Sequence, residues 1–273
     1  MRKVSVIITT HNRVQALQRA LNSVICQTYK NIEIIVVDDC SQDDTPEYLR
    51  SCINDGLIDA CITNNVSLGA CKSRNLGIDA ANGYYIAGLD DDDEFTEDRI
   101  ELLVNAYRES DAFVFSLNEY VIDGVPSVHW TPKYINSKMI FWHNLCHNQV
   151  LAPKENFIES GLFDESIPSS QDYDMWVKML LKYRKAKCVQ SVTQRIYVDT
   201  GRSSVASSDK KRLVGVWIFY CKYKKHMNRL QRSYILYRIS RARGRDQSFP
   251  GGAFLLWKIR LSSFLCRIFG YIK

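Results

Sequence analysis

Gly83-Tyr84-Tyr85-Ile86-Ala87-Gly88-Leu89-Asp90-Asp91-Asp92-Asp93-Glu94-Phe95 is a hydrophobic run that stops at four consecutive aspartates. The run predicts a buried strand over residues 84–89, which leaves the aspartates at its carboxyl end. Negative charge crowded in this way costs free energy unless a cation or a ligand offsets it. Side chains alternate along a strand, so Asp90 and Asp92 are expected to point the same way. Two carboxylates on one side of a strand end suit a hard divalent cation such as Mg²⁺ or Mn²⁺, which takes oxygen ligands and commonly binds substrate phosphates as well. The competing reading is a solvated acidic turn ahead of a helix that starts near Thr96.

On the N-terminal side, strand and helix patterns alternate. Val4–Thr9 is a β-rich apolar run. Val14–Cys26 has helical spacing, with Leu17, Leu21, Val24 and Ile25 on one face. Ile32–Val37 is a second buried strand, ended by Asp38-Asp39, and Ser41 or Asp43 can cap the helix that follows. A strand at Ile58–Ile62 and helices at Ala70–Ala81 and Thr96–Tyr107 continue the series to a strand at Ala112–Leu117. Repeated βα units predict an α/β fold with a mostly parallel, doubly wound sheet, in which ligands bind at the carboxyl ends of the strands. Thr9-Thr10-His11-Asn12, Asp38-Asp39 and Asp90–Asp93 are therefore expected to converge on one crevice. Beyond Asn118 the pattern predicts short antiparallel strands and a helix near Ser137–Cys146. A helix at Asp172–Tyr183, with Trp176, Met179 and Leu180 on its apolar side, and a strand at Lys187–Tyr197 follow. After Gly201–Ser208 the chain reads as helical to Arg243. Past a break at Gly244–Gly252, Ala253–Tyr271 is a final amphipathic helix.

The chain has 273 residues, 46% of them hydrophobic, enough for one large domain with a tail. Its nine cysteines are odd in number and form no CxxC pair, which fits free thiols in a reducing compartment. The apolar stretch at the N-terminus is too short for a signal peptide, and no run of about 18 apolar residues predicts a membrane span. The net charge of +6 is uneven, with acidic clusters early and Lys and Arg dominating from Lys210 onward. A basic tail with an amphipathic helix favours a membrane surface; the alternative is packing on the domain or a homodimer contact. No nucleic-acid-binding module is present, so nucleic acid is not expected as a partner. His143 and His147 stand at i,i+4 spacing without the remaining ligands of a zinc site, and read as packing or acceptor-pocket residues.

Four stretches, in order, resemble the inverting family-2 glycosyltransferases, which have the GT-A nucleotide-diphospho-sugar transferase fold and include bacterial O-antigen, capsule and exopolysaccharide enzymes. They are Val4-Ser5-Val6-Ile7-Ile8-Thr9-Thr10-His11-Asn12-Arg13, Ile34–Thr45 with its Asp38-Asp39, Arg74-Asn75-Leu76-Gly77-Ile78 leading into Asp90–Asp93 (the DxD region), and Gly161-Leu162-Phe163-Asp164-Glu165 with Gln171-Asp172-Tyr173-Asp174-Met175-Trp176. The resemblance implies transfer of a hexose from a UDP-sugar to a saccharide acceptor linked to a polyprenyl diphosphate, assisted by Mn²⁺ or Mg²⁺, on the cytoplasmic face of the membrane. It implies that Asp92 leads in holding the metal, with Asp90 as a second ligand or ribose contact and Asp91 beside them in the nucleotide-sugar site. Asp39 is implied to accept a hydrogen bond from uracil. Thr9, His11 and Asn12 then line the base pocket, and Arg74 stands near the nucleotide. Asp172 is implied to be the base that takes the acceptor hydroxyl's proton, while Asp174, two residues on, faces elsewhere. Gln171 and Trp176 are candidate acceptor contacts, although at helical spacing Trp176 also suits the core.

The chain departs from the family pattern in several places. Cys40 stands where glycine or asparagine is common, with little consequence expected. Gln171 replaces a glutamate, and His11 replaces a frequent aromatic. Near Val198-Asp199-Thr200-Gly201-Arg202, where relatives carry a histidine, Arg202 can supply positive charge to the diphosphate. The implied organisation is a catalytic domain over 1–205, divided into a nucleotide-sugar half at 1–117 and an acceptor half at 118–205, with a membrane-surface tail at 206–273. Two other readings compete. A nucleotidyltransferase of related fold would carry a glycine-rich loop after the first strand, and none follows Thr9. A non-catalytic sugar- or nucleotide-binding module would not need both Asp92 and Asp172.

Overall fold

The computed structural model describes residues 1–198 and 209–242. Four parallel strands make one half of the sheet: β1 (Val4–Thr10), β2 (Ile32–Asp38), β3 (Ala60–Thr63) and β4 (Tyr85–Asp90), in the order β3-β2-β1-β4. Helices α1 (Val14–Ile25), α2 (Thr45–Asn54) and α3 (Ala70–Ala80) connect them. Because both faces are covered, β1, β2 and β4 are mostly buried and read as continuous apolar runs, while the edge strand β3 is partly exposed. Alternation sorts their side chains into two layers. Val4, Val6 and Ile8 pack with Leu17, Ala20, Leu21 and Val24 of α1, while Ile7, Ile35 and Val37 face the opposite core with Ile78 of α3.

After β4 the two-residue strand β5 (Glu94–Phe95) and α4 (Arg99–Ala106) lead to the long strand β6 (Val114–Ile122). A hairpin strand β7 (Val125–Val128), then β8 (Tyr134–Asn136) and the short helix α5 (Ser137–Ile140), precede β9 (Leu151–Pro153) and α6 (Lys154–Glu159). Strand β9 runs antiparallel to both β4 and β6 and so stitches the two halves of the sheet together. Helix α7 (Gln171–Tyr183) and strand β10 (Lys185–Val198), which is parallel to β6, complete the domain. The sheet order is β3-β2-β1-β4-β9-β6-β10-β5, with β7 on β6 and β8 on β10. It is the mixed, mostly parallel α/β sheet expected, with helices following at the C-terminal end.

Several boundaries differ from expectation. The helix predicted over 137–146 stops at Ile140, and residues 141–150 form a loop that carries much of the site. The strand predicted at Ile58–Ile62 forms at Ala60–Thr63, and the helix predicted from Thr96 begins at Arg99. The long helix expected after residue 208 is two: α8 (Asp209–Tyr223) and α9 (Arg229–Ala242), joined by a 3₁₀ turn at Lys224–His226. Both pack on the domain. Phe219 stacks on Tyr173 of α7 at 4.3 Å between ring centroids, and Ile235 and Ile239 are buried. Asp174 turns to this interface, where it meets Lys222 at 2.8 Å and accepts from the Tyr223 hydroxyl at 2.7 Å. Arg202 and the predicted helix at 253–271 lie outside the described residues. Among the described residues no helix is long and apolar enough to cross a membrane, and the described cysteines are free.

Candidate active site

Register brings the three polar strand ends level. Thr10 pairs with Asp38 across β1 and β2, and Thr9 pairs with Asp90 across β1 and β4. The loops after β1 and β2 interlock. The Asp39 amide donates to the Thr10 carbonyl at 2.9 Å, and the Asn12 amide donates to Ser41 Oγ at 2.8 Å. His11 Nδ1 lies 2.7 Å from the Asp39 carbonyl oxygen, so Nδ1 carries the proton and Nε2 accepts from Asn12 Nδ2 at 3.0 Å. His11 and Asn12 are thus exposed, fixed in orientation and beside Asp39.

Asp39 itself is more heavily engaged than expected. Its carboxylate accepts from the amides of Leu68 and Gly69, from Asn64 Nδ2 and from the hydroxyls of Ser67 and Ser73, at 2.8–3.1 Å. Burial alone would raise this carboxyl, but these donors override it and hold it at about 2. Asp39 therefore fastens the loop before α3 onto β2, and a uracil ring reaching it would share an already saturated carboxylate. Its neighbour Cys40 has φ +66°, in the left-handed region where glycine or asparagine is at ease. That corrects the expectation that cysteine here is of little consequence. Cys40→Gly should stabilise the protein by about 1 kcal/mol, read as a rise of roughly 2–4 °C in melting temperature.

The aspartates follow a different geometry from a continuing strand. Strand β4 ends at Asp90, and the Asp93 amide closes a turn on the Asp90 carbonyl at 3.1 Å. Asp90 and Asp92 therefore do not alternate along one strand as expected, and the turn groups the side chains otherwise. Asp91 and Asp92 share Arg13, whose Nη1 lies 3.1 and 2.7 Å from their carboxylates, and Thr10 Oγ1 donates to Asp91 at 2.8 Å. Asp90 and Asp93 share Asn148 Nδ2, at 3.1 and 2.7 Å. Asp90 also accepts from Arg74 Nη2 at 2.7 Å and Gln149 Nε2 at 2.8 Å. Gln149 can lie across β4 because residue 88 is glycine; a Cβ there would meet Gln149 Oε1 at 2.0 Å. Asp93, only 2% exposed, takes a further bond from Gln194 at 3.0 Å.

Burial pushes Asp91 up to about 6 and raises Asp92, which Asp90 raises further; Asp93 is driven well above the carboxylate range by burial and by Asp90 and Asp92. Arg13 and Arg74 do not neutralise this crowding. Asp90 and Asp92 keep partly exposed side chains, at 24% and 45%. Among the described residues no group of three or more His, Cys, Asp or Glu side chains closes on one ion. Asp90 and Asp92, the two more exposed of the four, are hard oxygen donors of the kind Mg²⁺ or Mn²⁺ takes beside water and substrate phosphates.

Asp172 stands in the first turn of α7, where acidic residues suit the helix dipole, within electrostatic reach of Arg74 and Asp90. It is half-buried, and Oδ2 accepts from Asn144 Nδ2 at 2.8 Å. Burial pushes its carboxyl up to about 6; the Tyr173 amide and Arg74 pull against that rise, and Asp90 adds to it. Arg74 thus acts on both Asp90 and Asp172. Gln171 donates to the Ile167 carbonyl at 3.1 Å and anchors the entry to α7. Trp176 is corrected from a candidate acceptor platform to core. It is 1% exposed, packs against Phe113, Phe157 and Phe163, and spends its indole N–H on the His147 carbonyl at 3.0 Å. His147 is likewise internal: Nδ1 lies 2.9 Å from the Tyr120 hydroxyl, and burial lowers it to about 4, so it stays neutral. Thr10 belongs to the first polar strand end expected at the site, and Arg13 follows it directly; Asn144, Asn148, Gln149 and Gln194 carry no signal in the sequence pattern.

The profile described as Glycosyl transferase family 2 matches residues 5–158. The chain is 34% identical over 256 residues to a putative colanic acid biosynthesis glycosyl transferase, WcaA, of Escherichia coli K12, covering 90% of each chain. It is 32% identical to the Escherichia coli UDP-Glc:alpha-D-GlcNAc-diphosphoundecaprenol beta-1,3-glucosyltransferase WfaP, covering 78% of this chain and 84% of that one. Among solved structures, S. aureus TarS 1-349 in complex with UDP-GlcNAc superposes with a TM-score of 0.67 at 17% identity, covering 97% and 81% of the two chains. A Pyrobaculum calidifontis mannosyltransferase in complex with GDP-Man and Mn²⁺ superposes with a TM-score of 0.65 at 14% identity, over 97% and 80%. Both structural likenesses place the fold among the GT-A transferases.

Proposed function

The chain belongs to glycosyl transferase family 2 and is a glycosyltransferase, and from that premise we propose that it moves a hexose, with inversion, from a UDP-sugar to a hydroxyl of a saccharide carried on a lipid diphosphate, in the synthesis of a bacterial surface polysaccharide. The observation that supports the mechanism is Arg74, which pairs with Asp90 at 2.7 Å and also acts electrostatically on Asp172, so that the candidate base and the acidic strand end share one arginine. The donor class rests on the relative whose name specifies UDP-Glc and a diphosphoundecaprenol acceptor, and the polysaccharide on the colanic acid relative.

In this reading the acceptor oxygen attacks the anomeric carbon while the bond from that carbon to the diphosphate oxygen breaks. The acceptor proton passes to Asp172, and the electron pair of the broken bond leaves on UDP. His11 and Asn12 border the base pocket, Thr9 lines its floor beside Asp90, and Asp39 holds the wall formed by residues 64–69. Asp92 and Asp90 would hold a divalent cation, which when bound supplies charge neutralisation at the departing diphosphate. Arg74 fixes Asp90 and moderates the rise in the Asp172 carboxyl. Residues 1–117 then form the nucleotide-sugar half and 118–205 the acceptor half, in which Arg202 would supply charge to the diphosphate; because α8 and α9 pack on the domain, contact with the cytoplasmic membrane surface that carries the acceptor would fall to the basic, amphipathic chain beyond residue 242.

The test is nucleotide release by the purified protein with Mn²⁺ or Mg²⁺. It uses a panel of UDP-, GDP- and dTDP-sugars and a GlcNAc diphosphate acceptor bearing a lipid-like tail. Release from a UDP-hexose is expected; release from a GDP- or dTDP-sugar alone would reject the donor assignment. The pH dependence has a definite sign. Asp172 works as a base only when ionised, and its carboxyl lies near 6. Hence kcat/KM should fall about tenfold per pH unit below about 6 and level off above it. A profile that stays flat from about pH 5 to about 7.5 would contradict this assignment.

A further inference from the structure

We propose that Asn144 is the positioning residue of Asp172, holding the base by a direct hydrogen bond and tying it through one short loop to the acidic cluster at the end of β4. The inference rests on the reading of Asp172 as the base. The orientation of the Asn144 amide is fixed by three contacts. Oδ1 accepts from the Cys146 amide at 3.2 Å, which obliges Nδ2 to be the group that donates to Asp172 Oδ2 at 2.8 Å and to the His147 carbonyl at 2.9 Å. The same His147 carbonyl accepts from Trp176 Nε1 at 3.0 Å, one helical turn beyond Asp172 on α7. His147 has φ +60°, a left-handed turn held by contacts on both sides: its carbonyl by Asn144 and Trp176, its ring by Tyr120. The next residue, Asn148, donates to Asp90 and Asp93, and Gln149 donates to Asp90. Residues 144–149 therefore form a strut with Asp172 at one end and Asp90 at the other. Transfer requires the acceptor oxygen, held by the base, to meet the anomeric carbon of a donor held by the cluster, and displacements of about 1 Å in such an arrangement are costly.

The charged and titratable groups that act on or sense Asp172 are Arg74 from α3, Asp90 at the end of β4, Tyr120 from β6, Cys146 from the loop and Tyr173 beside it on α7. None of these supplies the Asn144 bond, so its removal leaves them in place. A donor to a carboxylate favours the charged form. Loss of that donor should move the acid limb of kcat/KM upward, and an oxygen in its place should move it further.

The experiment compares Asn144→Ala, the isosteric Asn144→Asp, Trp176→Phe and Asp172→Asn with the parent in the full-length protein, using the same donor and lipid-diphosphate acceptor. Asn144→Ala is expected to lower kcat about ten- to a hundredfold, with the donor KM within about twofold, and to raise the acid limb by about one pH unit. Asn144→Asp keeps the acceptor for the Cys146 amide, while the His147 carbonyl loses one donor and keeps Trp176, and it should shift the limb further. Trp176→Phe removes the other donor to the His147 carbonyl. It should lower the melting temperature while leaving the limb where it is. Asp91 also titrates near 6, but Thr10 and Arg13 hold it, so a limb that moves with residue 144 belongs to Asp172. A limb unmoved in both Asn144 variants, with only thermal stability lowered, would overturn the positioning role while leaving the base intact. Turnover retained in Asp172→Asn would instead reject the base, and the strut with it.

Discussion

Asp172→Asn is expected to lower kcat by about a thousandfold without unfolding the protein. Asparagine preserves the shape and the first-turn position on α7 but cannot take up the acceptor proton. The effect of the same change on stability has the opposite sign. The Asp172 carboxyl is raised to about 6 in the folded chain, above its ordinary value, chiefly by burial. Any stability it contributes is present at low pH and is lost as pH rises through about 6, so at neutral pH the ionised group is a net burden on folding. The melting temperature of the variant at pH 7–8 should therefore equal or exceed that of the parent, by calorimetry beside the rate assay. Loss of turnover with the fold intact separates a base from a helix-capping aspartate, whose removal would cost stability instead.

Chelation and Asp92→Ala form the second large effect. Excess chelator should abolish transfer, and Mn²⁺ or Mg²⁺ should restore it. Asp92→Ala should lower kcat by about a hundredfold or more, since several kcal/mol of leaving-group stabilisation correspond to that factor. The metal concentration for half-maximal rate should also rise. Asp92 is raised by burial and by Asp90, which offsets its bond to Arg13, and at 45% exposure with Asp91 still holding Arg13 its removal should change thermal stability little. Asp91 is the contrasting position. It is 5% exposed and bonded to Thr10 and Arg13, so its substitution should act on stability as well as on rate. Full activity in excess chelator would remove the metal from the mechanism.

The buried strands β1, β2 and β4 were legible because their apolar runs are continuous and each stops abruptly at polar residues. The same signal placed Thr9–Asn12, Asp38-Asp39 and Asp90–Asp93 at one edge, where register confirms that they lie level. What the strand pattern could not show was the turn after Asp90. Alternation holds only while the strand continues, and the Asp93 amide ends it by bonding to Asp90. The pairing of Asp91 with Asp92 through Arg13, and of Asp90 with Asp93 through Asn148, depends on that turn. The loop at 141–150 was hidden for another reason. Phe141, Trp142, Leu145 and Cys146 are buried and keep an apolar spacing that mimics a continuing helix. Only the local bond from Asn144 to the Cys146 amide and the left-handed His147 break it. Asn144, Asn148, Gln149 and Gln194 act through uncharged amides, which leave no trace in charge patterning or metal-ligand spacing. Trp176 was ambiguous because an aromatic on the apolar side of a helix satisfies both a core and a stacking role; burial among Phe113, Phe157 and Phe163 decides for the core.

The most direct measurement is the anomeric configuration of the transferred sugar, read by NMR on the product made from an α-linked UDP-hexose and a lipid-diphosphate saccharide. A single displacement with Asp172 as the base gives a β-linked product. An α-linked product would contradict that displacement and the base role of Asp172.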